Sequence, residues 1–174
     1  MSSSKTNQIL RLTIGVLLLA LIYVSAGVME QRIVVVGDTA PDFRIVADNG
    51  QTITRSEFGG GKLLVLNFWA TWCLPCVQEL PSLMEFQERM RAKGVVVVGI
   101  SVDKNEQTYK QFLQRAGVGF ATARDPEANI SASYGTFKYP ETYVINTGGK
   151  VVAKFIGPET WTDPKVMQQI ESLL

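Results

Sequence analysis

The sequence predicts an α/β fold behind one N-terminal transmembrane helix, and three observations carry this prediction. Residues 63–69 and 95–102 are almost entirely apolar, as expected for strands buried on both faces of a sheet. Helical periodicity follows each run, at 75–93 and 105–116, and strands that alternate with helices are typical of an α/β sheet. An uncharged apolar run at 12–29 precedes them, and the 174 residues suffice for one domain with an appendage.

The apolar run at 12–29 is long enough to cross a bilayer, which takes roughly 20 residues as a helix. Lys5 and Arg11 precede it, so the positive-inside rule places the N-terminus in the cytoplasm and the domain on the extracytoplasmic face of the cytoplasmic membrane. A cleaved secretory signal is the alternative, because Val24-Ser25-Ala26 before Gly27 has the small residues that signal peptidases accept. We therefore expect a single-pass membrane protein or, if the run is cleaved, an exported domain.

Three parts make up the chain in this prediction: a membrane anchor or signal peptide at 1–29, a tether at 30–35 and one folded domain at 36–174. Within the domain, the turn residues Asp48-Asn49-Gly50 predict a small hairpin of 43–46 with 52–53. The other predicted elements are a helical turn at 55–58, a short helix at 125–134, a hairpin of 141–145 with 150–156, and a last helix opened by Thr162-Asp163-Pro164.

The composition excludes several classes of protein. Lys and Arg total 17 against 16 Asp and Glu, and so balanced a charge gives no sign of a nucleic-acid partner. The chain has no His, so we expect no serine triad, no His-based zinc site and no haem ligation by this chain. Its two Cys are too few for a disulfide-stapled scaffold or a structural zinc site. Redox chemistry is what remains for them, and we expect no metal and no bound cofactor.

Cys73 and Cys76 lie where a buried strand ends and a long helix begins. A helix N-terminus carries unpaired N–H groups and a partial positive charge, which stabilise a thiolate, the reactive form of cysteine. We therefore expect Cys73 to attack a substrate disulfide and Cys76, one turn on, to resolve the mixed disulfide, with Pro75 stiffening the first turn. Two core cysteines that happen to lie close are the plainer alternative, but the coincidence of strand, CxxC and helix argues against it.

The stretch Asn67-Phe68-Trp69-Ala70-Thr71-Trp72-Cys73-Leu74-Pro75-Cys76 resembles the active-site segment of thioredoxins. The fuller pattern resembles the TlpA/ResA/CcmG-like branch, the anchored thioredoxin-fold thiol–disulfide oxidoreductases linked to cytochrome c maturation. The further segments that carry this resemblance are Gly37-Asp38-Thr39-Ala40-Pro41-Asp42-Phe43, Glu79-Leu80-Pro81, Tyr139-Pro140-Glu141-Thr142 and Val144-Ile145-Asn146. It covers residues 36–174 and implies a thioredoxin-like fold with an N-terminal hairpin extension and a central insertion around 104–125.

The resemblance also implies a proton-handling role for Glu79. Thioredoxin itself has a buried Asp at the strand position that Asn67 occupies here, and in the ResA type a Glu takes over that work. Glu79 lies three residues after Cys76, on the same face of the predicted helix. The alternative is an ordinary solvated helix carboxylate.

A cis proline faces the CxxC in this fold, and the resemblance assigns it to Pro140, although only about 5–6% of X–Pro bonds are cis. Such a loop leaves backbone groups free to pair with a substrate peptide. Glu141 either tunes the site or is a surface residue at the start of a strand. The expected substrate-binding residues are Trp72 at the rim, Pro75, Tyr139, Pro140 and Glu141, whereas Trp69 belongs to the core.

The direction of electron flow follows from the residues between the cysteines. A His there would stabilise the thiolate and make a strong oxidant, and Leu74-Pro75 provides no such partner. We therefore expect a reductant, or an exchanger poised for reduction, rather than an oxidase. The resemblance implies an exported protein with a disulfide as client, apocytochrome c among them, and a membrane protein as electron donor.

Two other functions stay open. Ala40-Pro41-Asp42-Phe43 also resembles the opening of the peroxiredoxins (alkyl hydroperoxide reductase/thiol-specific antioxidant), but that family has Thr or Ser three residues before its attacking Cys, where this chain has Ala70. The other alternative is a non-catalytic thioredoxin-like assembly factor, against which the intact CxxC argues.

Overall fold

The structure is a computed structural model that describes residues 2–28, 33–58 and 60–174. The chain forms two compact units, Met1–Arg32 and Ile33–Leu174. Helix α1 (Ser2–Val28) belongs to the first unit, and the remaining elements belong to the second.

The predicted transmembrane helix is wrong on this structure. In the part of the chain that the structure describes, no helix combines the length and the apolar character that crossing a membrane requires. The single-pass location with an extracytoplasmic domain, which rested on that helix, is corrected with it. Residues 29–32, which complete the predicted anchor and begin the tether, lie outside the described residues.

The second unit is built on a five-stranded sheet. Its strands are β3 (Leu63–Trp69), β4 (Val95–Ser101), β5 (Ala121–Arg124), β6 (Glu141–Asn146) and β7 (Val151–Ile156). Their order is β5–β4–β3–β6–β7, with β3, β4 and β5 parallel and the β6–β7 hairpin antiparallel to β3. Because β3 and β4 are parallel, the segments that follow them leave the sheet at the same edge.

Four helices and a small hairpin surround this sheet. The helices are α2 (Leu74–Arg91), α3 (Glu106–Ala116), α4 (Asn129–Ser133) and α5 (Pro164–Glu171), and the hairpin is β1 (Arg44–Val46) with β2 (Thr52–Thr54). Local residues define several ends: Asn105 caps α3 by accepting from the Thr108 N–H at 2.9 Å, and Gly117 ends it in the left-handed region. The hydroxyl of Tyr109 on α3 donates to Asp48 at 2.6 Å, which ties the inserted helix to the N-terminal hairpin.

Strand β3 forms the centre of two apolar layers. Leu64, Leu66 and Phe68 pack on the side of the hairpin and α4, whereas Leu63, Val65 and Trp69 pack on the side of α2 and α5. Side chains alternate along a strand, so Asn67 shares the second face with Trp69. The sheet therefore presents one buried amide to helix α2.

Three sequence predictions differ from the structure. Residues 55–58 form no helical turn, because the Thr54 hydroxyl accepts from the Glu57 N–H at 2.9 Å and closes a tighter bend. The short helix begins at Asn129 rather than at residue 125. Asp125 lies before the helix, and its carboxylate accepts from the Ile130 N–H at 2.7 Å. Strand β5 was not predicted, since its four residues are too few for a periodic pattern.

We expect Gly99→Ala to destabilise the sheet. A Cβ on Gly99 would lie 2.9 Å from both Phe120 Cε2 and Trp69 Nε1, so these rings would have to shift. The free energy of unfolding should fall by about 1–3 kcal/mol in denaturant titrations. Gly119→Ala is the matched control, because its Cβ would meet nothing within 4 Å. Equal stability of the two variants would contradict the packing at Gly99.

Candidate active site

Cys73 is the N-cap of α2 and Cys76 lies in its first turn, joined to Cys73 by a disulfide. The Cys73 sulfur accepts from the Cys76 N–H at 3.3 Å, so it interacts directly with the unpaired donors of the helix N-terminus. Cys73 is 7% exposed and Cys76 is fully buried, which agrees with the expected order of reactivity. Pro75 occupies the first turn, where it needs no N–H partner.

Asp103 holds the backbone that leads into Cys73. Its carboxylate accepts from the Thr71 N–H at 2.8 Å and from the Thr71 hydroxyl at 2.6 Å, and from the Ser101 hydroxyl at 2.6 Å. Asp103 follows β4 and Thr71 follows β3, so the parallel pairing brings the two residues together. Sequence reasoning missed this residue, although an acidic residue just past a predicted parallel strand was the available signal.

Glu79 is 4% exposed, and three donors converge on its carboxylate. The Asn67 side-chain amide donates to Oε1 at 2.9 Å, and the Glu159 N–H and the Trp161 indole donate to Oε2 at 3.0 and 3.3 Å. Glu79 is therefore no solvated helix carboxylate. It lies three residues after Cys76, and both side chains belong to the buried face of α2.

Burial raises the pKa of Glu79 above its ordinary value, because desolvation disfavours the charged form. The hydrogen bonds from the Glu159 N–H, Asn67 and Trp161 oppose this effect and lower the pKa, whereas the nearby charge of Glu159 adds to it. A carboxyl group whose pKa is raised in this way accepts a proton more readily than a free one, which suits it to acid–base work.

Trp161 and the loop around it complete the environment of Glu79. Trp161 is fully buried, and its ring packs against the rings of Phe86 and Phe155. The Ser82 hydroxyl accepts from the backbone N–H of Trp161 at 3.2 Å. Sequence reasoning missed Trp161, because the loop between β7 and α5 meets α2 only in the folded chain. No local pattern signals that contact.

The Tyr139–Pro140 peptide bond is cis, as predicted. The Tyr139 ring meets the Trp72 ring edge-on, with 6.1 Å between centroids, so this loop lies alongside the CxxC segment. Trp72 and Leu74 are both 66% exposed and flank Cys73. The rim position of Trp72 and the core position of Trp69 are both confirmed.

Glu141 is buried rather than on the surface, which removes one of its two interpretations. Its carboxylate pairs with the Lys154 ammonium at 2.8 Å, and both side chains are almost inaccessible. Lys154 also donates to the Val34 carbonyl at 2.9 Å and lies over the Tyr143 ring, 4.8 Å from the centroid. The ion pair therefore links β6, which begins directly after Pro140, to the neighbouring strand β7.

Two cysteines that share one disulfide at the start of a helix, on a thioredoxin-like sheet, make this protein a thiol–disulfide oxidoreductase. Comparison with known proteins leads to the same class. The family model described as AhpC/TSA family matches residues 36–154. The thiol-disulfide oxidoreductase ResA of Bacillus thuringiensis (strain Al Hakam) is 34% identical over 125 residues, 72% of each chain. The ResA of Bacillus subtilis (strain 168) is 33% identical over 124 residues, 71% of this chain and 69% of the relative.

Solved structures agree with this assignment. A DsbE-type thiol:disulfide interchange protein from Chlorobium tepidum superposes with a TM-score of 0.73 at 31% identity, over 80% of this chain and 98% of that one. StoA from Bacillus subtilis has a TM-score of 0.64 at 23% identity, over 77% and 96% of the two chains, and so shows the same fold. The chain belongs to the AhpC/TSA family and, within it, to the ResA-like thiol–disulfide oxidoreductases.

We expect Trp161→Phe to raise the pKa of Glu79 further, because the carboxylate loses one of the hydrogen bonds that lower it. The free energy of unfolding at neutral pH should fall by about 1–3 kcal/mol, the cost of an unmet hydrogen bond in the interior. A carboxyl ¹³C titration of Glu79 measures the pKa directly.

Trp69→Phe is the control for that experiment. It makes the same substitution in the core, but the Trp69 indole N–H has no hydrogen-bond partner among the described residues. The pKa of Glu79 should stay unchanged in this variant. Equal shifts in both variants would mean that the indole N–H of Trp161 does not tune Glu79.

Proposed function

We propose that this protein reduces disulfides in client proteins, with Cys73 as the attacking thiol, Cys76 as the resolving thiol and Glu79 as the group that moves the proton. The single observation that carries the proposal is the buried Glu79 carboxylate, three residues after the buried Cys76 on one helix face. The Cys73–Cys76 pair is the redox centre, and the reaction needs no bound cofactor.

The reaction has two exchange steps. The Cys73 thiolate attacks a client disulfide, which forms the mixed disulfide and releases one client thiolate. Cys76 then gives its proton to Glu79 and attacks the Cys73 sulfur, which forms the Cys73–Cys76 disulfide and releases the second client sulfur. Glu79 returns its proton through solvent to a released thiolate, so two electrons pass to the client and Glu79 ends unchanged.

The clients that we propose are exported proteins with disulfides, apocytochrome c among them. Trp72 and Leu74 support this class, because two exposed apolar side chains beside Cys73 favour an accessible, incompletely folded chain over a small hydrophilic thiol. A dithiol consumed in every turnover must be regenerated, and we propose a membrane protein as the donor of those electrons.

A peroxidase is the second candidate, since the AhpC/TSA family match fits it equally well. The side chain three residues before Cys73 is the buried methyl group of Ala70, and the nearby Thr71 hydroxyl donates to Asp103. A peroxide at Cys73 would therefore lack the hydroxyl expected of a peroxiredoxin site. Consumption of hydrogen peroxide at the rate of client reduction would favour this candidate.

We expect Cys76→Ser to accumulate a mixed disulfide with disulfide-bonded apocytochrome c, because the first attack proceeds and the resolving step cannot. Non-reducing electrophoresis followed by mass spectrometry identifies the adduct and its cysteine. Cys73→Ser is the matched control and should form none. An adduct through Cys76 in the Cys73→Ser protein, with none in the other variant, would reverse the two roles.

We expect Glu79→Gln to slow disulfide exchange about 10²-fold or more, the usual contribution of a positioned acid–base group. Stopped-flow tryptophan fluorescence with a disulfide peptide measures the rate as a function of pH. Glu85→Gln is the control, because Glu85 lies on the exposed part of the same helix, paired with Arg89. A wild-type rate and pH profile for Glu79→Gln would remove Glu79 from the mechanism.

Glu79→Gln should also change the way in which the stability of the protein depends on pH. The folded-state pKa of Glu79 lies above the unfolded value of 4.5, so the folded protein binds more protons between the two values. Wild-type stability therefore falls as the pH rises through that window. Glu79→Gln should lack this part of the fall in denaturant titrations of the disulfide form.

A further inference from the structure

We propose that the side-chain amide of Asn67 makes a half-turn when Glu79 gains its proton, so that Asn67 presents a donor to the carboxylate and an acceptor to the carboxylic acid. This inference rests on the proposed role of Glu79. It makes Asn67 a positioning residue for proton transfer, whose two ends serve the two protonation states in turn.

The partners of Glu79 in the structure suit only its ionised form. Oε2 accepts from the Glu159 N–H and the Trp161 indole, and Oε1 accepts from the Asn67 amide. All three partners are donors, so a proton on either oxygen would find no acceptor among them. Neither the backbone N–H nor the indole can become an acceptor. The primary amide of Asn67 is the partner that carries an acceptor as well.

That acceptor is present and unused. Asn67 is fully buried, and its Oδ1 has no hydrogen-bond partner among the residues that the structure describes. A buried acceptor without a partner is costly and rare in folded proteins. The free-energy cost of leaving Oδ1 unpaired is explained if Oδ1 accepts a hydrogen bond when Glu79 is protonated.

Thr142 makes the half-turn geometrically possible. Asn67 Nδ2 donates both to Glu79 Oε1 and to the Thr142 hydroxyl, each at 2.9 Å. After a half-turn, Oδ1 occupies that place and accepts from the Glu79 acid and from the Thr142 hydroxyl, which is donor as well as acceptor. One end of the amide lacks a partner in either orientation, so the proton on Glu79 decides between them.

The other charged groups near this cluster do not replace Asn67. Glu159, on the loop over Glu79, acts through its charge and donates its backbone N–H. Glu141, beside Thr142 on β6, is closed in the ion pair with Lys154 of β7. On α2 the nearest ionisable side chain is Cys76, the proposed proton donor, which does not titrate while the disulfide is intact. Titration of the disulfide form therefore follows Glu79 without a contribution from the Cys76 thiol.

Nuclear Overhauser effects between the Asn67 side-chain NH₂ and the Thr142 methyl group test the proposal. In the disulfide form we expect them above the pKa of Glu79, as read from its carboxyl ¹³C shift, and their loss below it. The side-chain NH₂ of Gln87, a largely buried residue whose Oε1 accepts from the Val97 N–H, is the internal control and should not change with that titration. An effect that persists through the titration would make Asn67 a fixed donor and overturn the proposal.

Glu79→Gln tests the same point without a titration. A Gln at 79 keeps its oxygen toward the Glu159 and Trp161 donors and turns its NH₂ toward Asn67, as the protonated acid does. The NH₂–methyl effect should then be absent at every pH, whereas Glu85→Gln should behave as the wild type. Retention of the effect in Glu79→Gln would also overturn the proposal. The exchange rate of that variant reports separately on the role of Glu79, so the two ideas fail independently.

Discussion

A carboxylate removed from water is the constraint on which the active region depends. Glu79 can stay buried only because strand β3, helix α2 and the loop before α5 bring their donors to one place. Those hydrogen bonds fix the loop against the helix, and the Ser82 hydroxyl repeats the link by donating to Glu79 O and accepting from the Trp161 N–H. The site of Glu79 is thus also a junction between three elements of the fold.

The redox site depends on a second, simpler constraint, the parallel pairing of β3 and β4. Parallel strands end at the same edge, so the segment after β4 supplies Asp103 to hold the segment after β3. Cys73 then begins α2 with its sulfur on the N–H of Cys76. The disulfide therefore lies between a strand edge and a helix terminus, where backbone donors are available and a rim of exposed apolar side chains faces outward.

Sequence reasoning succeeded where the signal was local. The long apolar strands, the α2 and α3 helices and the closing hairpin were all predicted, because burial on two faces and helical periodicity leave a direct pattern in the chain. It failed at β5 and at residues 55–58, where four residues are too few to establish a period and a single hydroxyl decides the bend. The predicted membrane helix was the largest error, because it was inferred from hydropathy over 12–29 alone.

The chemistry of the site divides in the same way. The sequence by itself determined the thiol pair, because a three-residue spacing at a strand–helix junction brings two sulfurs together whatever surrounds them. Glu79 and Pro140 were found through family resemblance, and their surroundings were not. Only the tertiary structure decided that Glu141 is buried against Lys154, that Trp161 and Glu159 reach Glu79, and that Asn67 keeps one acceptor without a partner among the described residues. Those contacts join residues up to 82 positions apart, and no local pattern records which distant side chain will supply a donor.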